Sequence, residues 1–182
     1  MTLDRTEADP SHYDIRLLGP PLVLRDGQTT HLSYQKAAAI LAYLAAEGHD
    51  VTRERLRTLL WEESDEKRAS ANLRHALHEL RSSVPGLLNI EGDRVGLQEG
   101  QYSIDITSLT DGTDPEKLFK LRRGTFCEGL VAKDSIAFDE WLSLQRTRHD
   151  GLYLTAMMAL SDARIQAGDL DGAMEAAREA LS

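Results

Sequence analysis

A single cysteine, Cys127, leaves no partner for an intrachain disulfide and fits a reducing compartment. No apolar run approaches the ~18 to 20 residues that a membrane-spanning helix requires. The opening stretch MTLDRTEADPSHYD is polar and acidic, with none of the apolar centre of a secretory signal. The chain therefore reads as cytoplasmic, without a membrane partner. Catalytic signatures are missing as well: there is no GxGxxG, no phosphate-cradling glycine loop ending in Gly-Lys-Ser/Thr and no GxSxG. Acid pairs such as Glu62/Glu63 and Asp139/Glu140 are neighbours in sequence, so on a helix they diverge and form no dyad. Cys127 stands beside Glu128 and reads as a structural thiol. The sequence argues against an enzyme, and it names no catalytic residue, cofactor or metal.

Positive charge is scarce too. Lys and Arg total 21 against 30 Asp and Glu, a net charge of −9. The deficit is spread along the chain: residues 1–106 carry 12 basic and 17 acidic side chains, net −5, and residues 107–182 carry 9 and 13, net −4. Groove-binding proteins usually carry a basic excess. Any nucleic-acid contact must come from a local patch on an acidic body.

What is present is a definite order of elements. Residues 1–13 read as a disordered tail. YDIRLLGPPLVLRDGQTTHLS holds short apolar runs broken by Gly19-Pro20-Pro21 and Asp26-Gly27, which predicts a small antiparallel sheet over 14–33. YQKAAAILAYLAAEG is a largely buried helix stopped by Gly48. VTRERLRTLLW follows as a helix capped by Thr52. The polar break EESDEK, with Ser64 or Asp65 as cap, leads to a long helix ending at Val84 before Pro85-Gly86. LLNIEGDRVGLQEGQYSIDI alternates about Gly92-Asp93 and predicts a β-hairpin closed by a short strand over Tyr102 to Ile106. Beyond residue 106 TSLTDGTDP reads as a linker, with Pro115 placed for the first turn of the next helix. The remainder is helical apart from a Gly-punctuated link, GTFCEGLVAKDS, before a long segment from about Phe138 to Ala167. The last two helices, broken at Gly168-Asp169 with Ala173, Ala177 and Ala180 on one face, form a TPR-like pair. A lone pair cannot bury its own face, so further helices are expected beyond residue 182. The fold class is α+β: a winged helix-turn-helix over 14–106, then an all-α TPR-like unit over 107–182. Trp61 and Trp141 read as core anchors, beneath a loop and within the helical unit respectively.

The long helix carries the chemistry. At ~100° per residue, Ala69, Leu73, Ala76, Leu77, Leu80 and Val84 share one stripe, the buried face. Opposite lie Arg68, Ala71, His75, His78 and Ser82, with Glu79 to one side; Arg74 and Arg81 occupy one flank and Asn72 the other. Such a face suits a major groove: Arg, Asn, Ser and His meet base edges, and flanking arginines reach phosphates. A solvated helix with mixed charge shows the same stripe, and Glu79 is what that alternative predicts. The order helix, turn, charged helix, hairpin favours the winged helix, with Arg94 near the hairpin tip as a further DNA contact. Arg53, Arg55 and Arg57 on the preceding helix are placed to add phosphate contacts, against Glu54 and the Glu62 to Glu66 cluster. His75 and His78 stand three apart, but no cysteine or third histidine lies nearby to complete a metal site. Protonation of these histidines would favour a phosphate contact at lower pH.

RLLGPPLVLRDGQ, LSYQKAAAILAYLAAEGHDVTRERLRTLLW, ASANLRHALHELR and IEGDRVGLQEG with YSIDI together resemble the DNA-binding region of the SARP family of bacterial transcriptional activators. GLVAKDSIAFDEWLSLQRTRHDGLYLTAMMALSDARIQAGDLDGAMEAAREAL resembles the helical bacterial transcriptional activation domain that follows it. The resemblance covers about residues 14–182. It implies an OmpR-type winged helix and a sequence-specific activator that binds promoter repeats in double-stranded DNA as a homodimer and engages RNA polymerase. On this resemblance Arg68 to Ser82 is the recognition helix, with Arg68, Asn72, Arg74, His75, His78, Arg81 and Ser82 toward DNA. Glu91 to Leu97 is the wing, contributing Arg94. The loop Glu62, Glu63, Ser64 and Asp65 corresponds to the segment that contacts polymerase. The rival is a winged-helix/TPR-like interaction module of a larger signalling protein that no longer binds DNA.

Overall fold

The computed structural model describes residues 12–111 and 113–180. The tail expected over 1–13 lies, through residue 11, outside the described residues, and Tyr13 already opens the first strand.

Strands β1 (Tyr13–Arg16), β2 (Leu22–Arg25) and β3 (Gln28–Thr30) form an antiparallel meander. Its tight turn places Asp26 and Gly27 at φ 51° and 79°, the left-handed backbone that an Asp-Gly pair tolerates. Helix α1 (Gln35–Glu47) presents Ala and Leu on most of its surface and is buried nearly all round; Gly48 closes it by donating its N–H to the Leu44 carbonyl. A two-residue strand, β4 (Val51–Thr52), was not foreseen. It leads into α2 (Arg53–Trp61), whose first turn is capped by the Thr52 hydroxyl accepting from the Arg55 N–H at 3.1 Å. Helix α3 (Glu66–Ser83) is capped by Asp65. Its predicted stripe, Ala69, Leu73, Ala76, Leu77 and Leu80, is buried in full, with Val84 continuing it just past the helix end.

Strands β5 (Leu88–Glu91) and β6 (Arg94–Leu97) make the expected hairpin about Gly92-Asp93, and β4 adds to the outer edge of β6. The closing strand departs from expectation. β7 (Tyr102–Ile104) stops two residues early and leaves the hairpin for the N-terminal sheet, pairing in parallel with β1 to give the order β3-β2-β1-β7. The reason lies in Asp105, which opens a 3-10 helix (Asp105–Leu109). Its buried carboxylate accepts from the Leu17 N–H at 2.8 and 2.9 Å and from the Leu18 N–H at 2.9 Å, drawing the chain to the end of β1. Part of the stretch read as a linker is thus helical.

Three helices complete the chain: α4 (Pro115–Leu121), α5 (Ile136–Gln166) and α6 (Leu170–Ala180). The element order is α+β, strands and helices first and helices alone afterwards, consistent with a winged helix followed by a helical unit. The larger core continues past residue 106. It takes in Phe126, Cys127, Leu130 and Ala132 from the link before α5, and Phe138, Trp141 and Leu142 from the first turns of α5. Trp141 is therefore not an anchor within the helical unit. Its ring meets Tyr43 of α1 edge-on at 5.0 Å, because the N-terminal third of α5 lies across α1 and α2. At ~1.5 to 3 kcal/mol for each large apolar side chain buried, Phe138, Trp141 and Leu142 hold α5 to the first core more firmly than any surface ion pair (~0 to 1 kcal/mol).

A second, smaller core gathers Leu118, Tyr153, Met157, Leu160 and Ala176. On α6 the small residues that face α5 are Ala173 and Ala176, while Ala177 is exposed. Of the expected face, Ala173 is buried and Ala180 packs against the second core, while Ala176 takes the inward place expected of Ala177. No helix among the described residues is long and apolar enough to cross a membrane.

Candidate nucleic-acid interface

Burying the Leu73/Leu77/Leu80 stripe of α3 against the core forces its charged residues outward. They do not spread evenly. On the flank facing the hairpin, Arg74, His78 and Arg81 surround a cavity of about 210 Å³ completed by Arg53 at the start of α2 and floored by Leu77 and Ile90. A second cavity, of about 700 Å³, adjoins it through Arg53 and Arg74 and adds Arg57, Lys67 and Ser70, with Glu66 at its edge. The two make one groove between α2, α3 and the hairpin, lined by five cations and one histidine. Arg57 is held there by donating to the Ser70 hydroxyl at 3.2 Å. Arg74, His78, Arg81 and Lys67 have no hydrogen-bond or ion-pair partner among the described residues. Three arginines elsewhere are paired with acids: Arg16 with Asp14, Arg122 with Asp150 and Arg164 with Glu116.

The other flank is less basic. Arg68 is exposed, its backbone N–H donating to the Asp65 carboxylate at 2.9 Å, and Asn72 and Glu79 are half-buried. His75 is exposed, with its ring centroid 5.2 Å from that of Tyr34 at the start of α1. Ser82 is exposed near the helix end. The predicted site residues thus divide: Arg74, His78 and Arg81 come together in the groove, whereas Arg68, Asn72 and His75 lie across the crest of the helix from it.

Arg94 is apart from both. Its guanidinium donates to the Asp50 carbonyl at 2.8 Å, on the hairpin face that looks toward the end of α1 and carries Asn89, His49 and Tyr102. Gly96 explains the direction. Asp50 lies so close over β6 that a Cβ at position 96 would stand 1.7 Å from its Oδ1. Of the α2 arginines, Arg55 turns to the Tyr43 hydroxyl at 3.0 Å and leaves the groove to Arg53 and Arg57. Lys67, which the sequence reading passed over, lies about 120° from the core direction of α3, on the flank of Arg74; the helical wheel contained that signal.

The α2–α3 loop is tied down. Lys36 of α1 donates to the Leu60 carbonyl at 2.6 Å and stands 4.9 Å from the Trp61 ring centroid, and burial lowers its pKa below the usual lysine value. Ser135 donates to the same carbonyl at 2.7 Å, and Glu62 accepts from the Ala137 N–H at the start of α5 at 3.2 Å. Asp65 is occupied as the cap of α3. Of the three loop acids only Glu63 is without a partner among the described residues.

No family model matches the chain, and no curated protein matches it. A solved structure does: Mycobacterium tuberculosis EmbR in complex with a low-affinity phosphopeptide, at 19% identity and a TM-score of 0.65. The match covers 87% of this chain and 47% of that one, so this chain spans about half the length of its neighbour. The two share their fold across both the strand-containing and the helical parts.

Proposed function

We propose that the chain is a sequence-specific DNA-binding transcriptional activator of the SARP type, with an OmpR-type winged helix as its DNA-binding unit and a TPR-like activation unit behind it. The single observation that carries this reading is the groove beside α3, lined by five cations of which none is paired with an acid among the described residues. On a body of net charge −9, cations are expected to find acids; here they are gathered on one flank and left without them. The α3 helix lies in the major groove, Arg74 and Arg81 meet phosphates, and Arg68, Asn72, His75 and Ser82 face base edges. Glu63 on the α2–α3 loop contacts RNA polymerase. Two copies bind promoter repeats as a homodimer, for which Met158, Ile165, Leu170 and Met174 supply exposed apolar surface. The chain performs no catalysis and works in the cytoplasm.

A second reading, an interaction module without DNA binding, is favoured by the bond that holds Arg94 to the Asp50 carbonyl and by Glu79 on the far flank of α3. Selection of bound sequences from random DNA, with affinity followed against salt, separates the two. The activator enriches a repeated motif and shows a steep salt slope; absence of both leaves the interaction module.

A further inference from the structure

We propose that the cavity bounded by Arg53, Arg74, His78 and Arg81 seats one phosphodiester group of the DNA backbone, and that Arg53 supplies the hairpin's cation in place of Arg94. The proposal rests on the DNA-binding reading above and assigns the partner of this one cavity.

Arg53 is fixed to the hairpin turn twice. Its backbone N–H donates to the Asp93 carbonyl at 2.8 Å, and its Nε donates to the Gly92 carbonyl at 3.2 Å. Those bonds consume the donors that point at protein and leave the two Nη groups for the cavity. A guanidinium braced in this way loses less rotamer freedom on binding an anion than a free surface arginine does. Arg53 is also the first residue of α2, where the positive end of the helix dipole adds to its charge. From across the cavity Arg74 and Arg81 contribute two further cations, and His78 contributes a ring donor.

The surroundings select an anion. Leu77 and Ile90 form an apolar floor that weakens dielectric screening of whatever charge enters. Like charges held together without a carboxylate repel one another, and a bound anion relieves that repulsion. At about 210 Å³ the cavity accommodates a phosphate group with attendant water. A tetrahedral anion also matches donors converging from α2 and α3 better than a planar base edge does. The seat therefore fixes the position of α2, α3 and the hairpin together on the backbone, and its contacts carry no sequence information. His78 becomes a phosphate ligand, which leaves base reading to the crest and far flank of α3.

The test uses the full chain and a fluorescent 20-base-pair duplex of random sequence, with anisotropy measured from about 50 to 200 mM salt. Arg53→Ala, Arg53→Gln, His78→Gln and Arg94→Ala are compared with wild type, and Arg178→Ala on α6 controls for net charge. Circular dichroism verifies folding. The expected result is a loss of about fivefold for Arg53→Ala and Arg53→Gln, with a salt slope shallower by about 1, a smaller loss for His78→Gln, and less loss for Arg94→Ala than for Arg53→Ala. Should Arg53→Ala fail to fold, Arg53→Gln, which keeps the stem and the Nε-side donor geometry, and His78→Gln decide the matter. Wild-type slopes in folded Arg53 and His78 variants, or a larger loss at Arg94 than at Arg53, overturn the seat and leave the DNA-binding reading standing. Wild-type protein without salt-dependent DNA binding overturns both.

Discussion

Trp141 of α5 donates its indole N–H to the Glu47 carboxylate at the end of α1, 3.0 Å away, while its ring packs edge-on against Tyr43. One side chain thus joins the start of the helical part to the central helix of the strand-containing part. Trp141→Ala removes a buried aromatic and a hydrogen bond, and should cost about 3 to 5 kcal/mol. Because α5 contributes to both cores, helical dichroism and the fluorescence of Trp61 should lose stability in a single shared transition. Two separate transitions, with Trp61 unaffected, would show that the units unfold independently.

Asp105→Asn tests the turn that sends β7 into the N-terminal sheet. The carboxylate accepts from two buried N–H groups, and an amide presents a donor where an acceptor is needed. A loss of about 2 to 3 kcal/mol is expected, measured by urea unfolding with the m-value unchanged. A variant as stable as wild type would show that these bonds add nothing net.

His149 gives a pH dependence of definite sign. Its ring is 7% exposed and packs 4.5 Å from that of Phe126; burial, then the neighbouring Arg148, lowers its pKa to about 4, with Asp150 opposing. Between about 4 and the ordinary histidine value of ~6.5 the unfolded chain binds a proton that the folded chain does not. Stability is therefore complete above that window and falls as pH drops through it, by about 3 kcal/mol in all. Burial shifts Asp105 the opposite way, raising its pKa, so its contribution falls as pH rises through the folded value. The difference between wild type and His149→Phe isolates the histidine. Parallel stability-against-pH curves for the two proteins would refute its role.

At the groove, Arg74→Ala or Arg81→Ala should weaken all DNA sequences alike, by about fivefold each, and flatten the salt slope by about 1. His75→Ala should instead change which bases are enriched, because it lies on the crest of α3 beside Tyr34. Unchanged binding in all three variants would remove α3 from the interface.

Much of this was legible in the chain. The stripe of α3 needed only the 3.6-residue period, and the cap at Thr52 follows from its position before an apolar run. The sequence leaves Ser64 and Asp65 equal as caps of α3, and the structure makes Asp65 the cap. The face of the hairpin that carries Arg94 was legible too. Strand alternation sets Arg94 out of phase with Val95 and Leu97, and Ile90, paired with Val95, lines the face toward α3. The period of two thus places Arg94 on the side away from α3. Other features leave no local trace. The parallel pairing of β7 with β1 joins residues almost 90 apart through three register pairs, and is fixed by one buried carboxylate. The link GTFCEGLVAKDS reads as a glycine-rich connection. Yet Phe126 bridges to Leu18 and Gly19, and Arg146 clamps the Phe126 and Cys127 carbonyls at 3.0 Å each. Cys127 is buried there at φ 49°, and burial pushes its thiol pKa up. Such contacts depend on what the third dimension brings near, and composition does not record them.

The unbroken α5 turns the molecule into a ruler with a bearing. Its 31 residues run about 46 Å from the first core into the second without a hinge, so the last helical pair keeps a fixed azimuth relative to α3. In the DNA-bound arrangement proposed above, the side from which that pair projects is then set by the phase of the binding site. Inserting about five base pairs between two repeats, half a helical turn, would send the second copy's pair to the opposite side of the DNA.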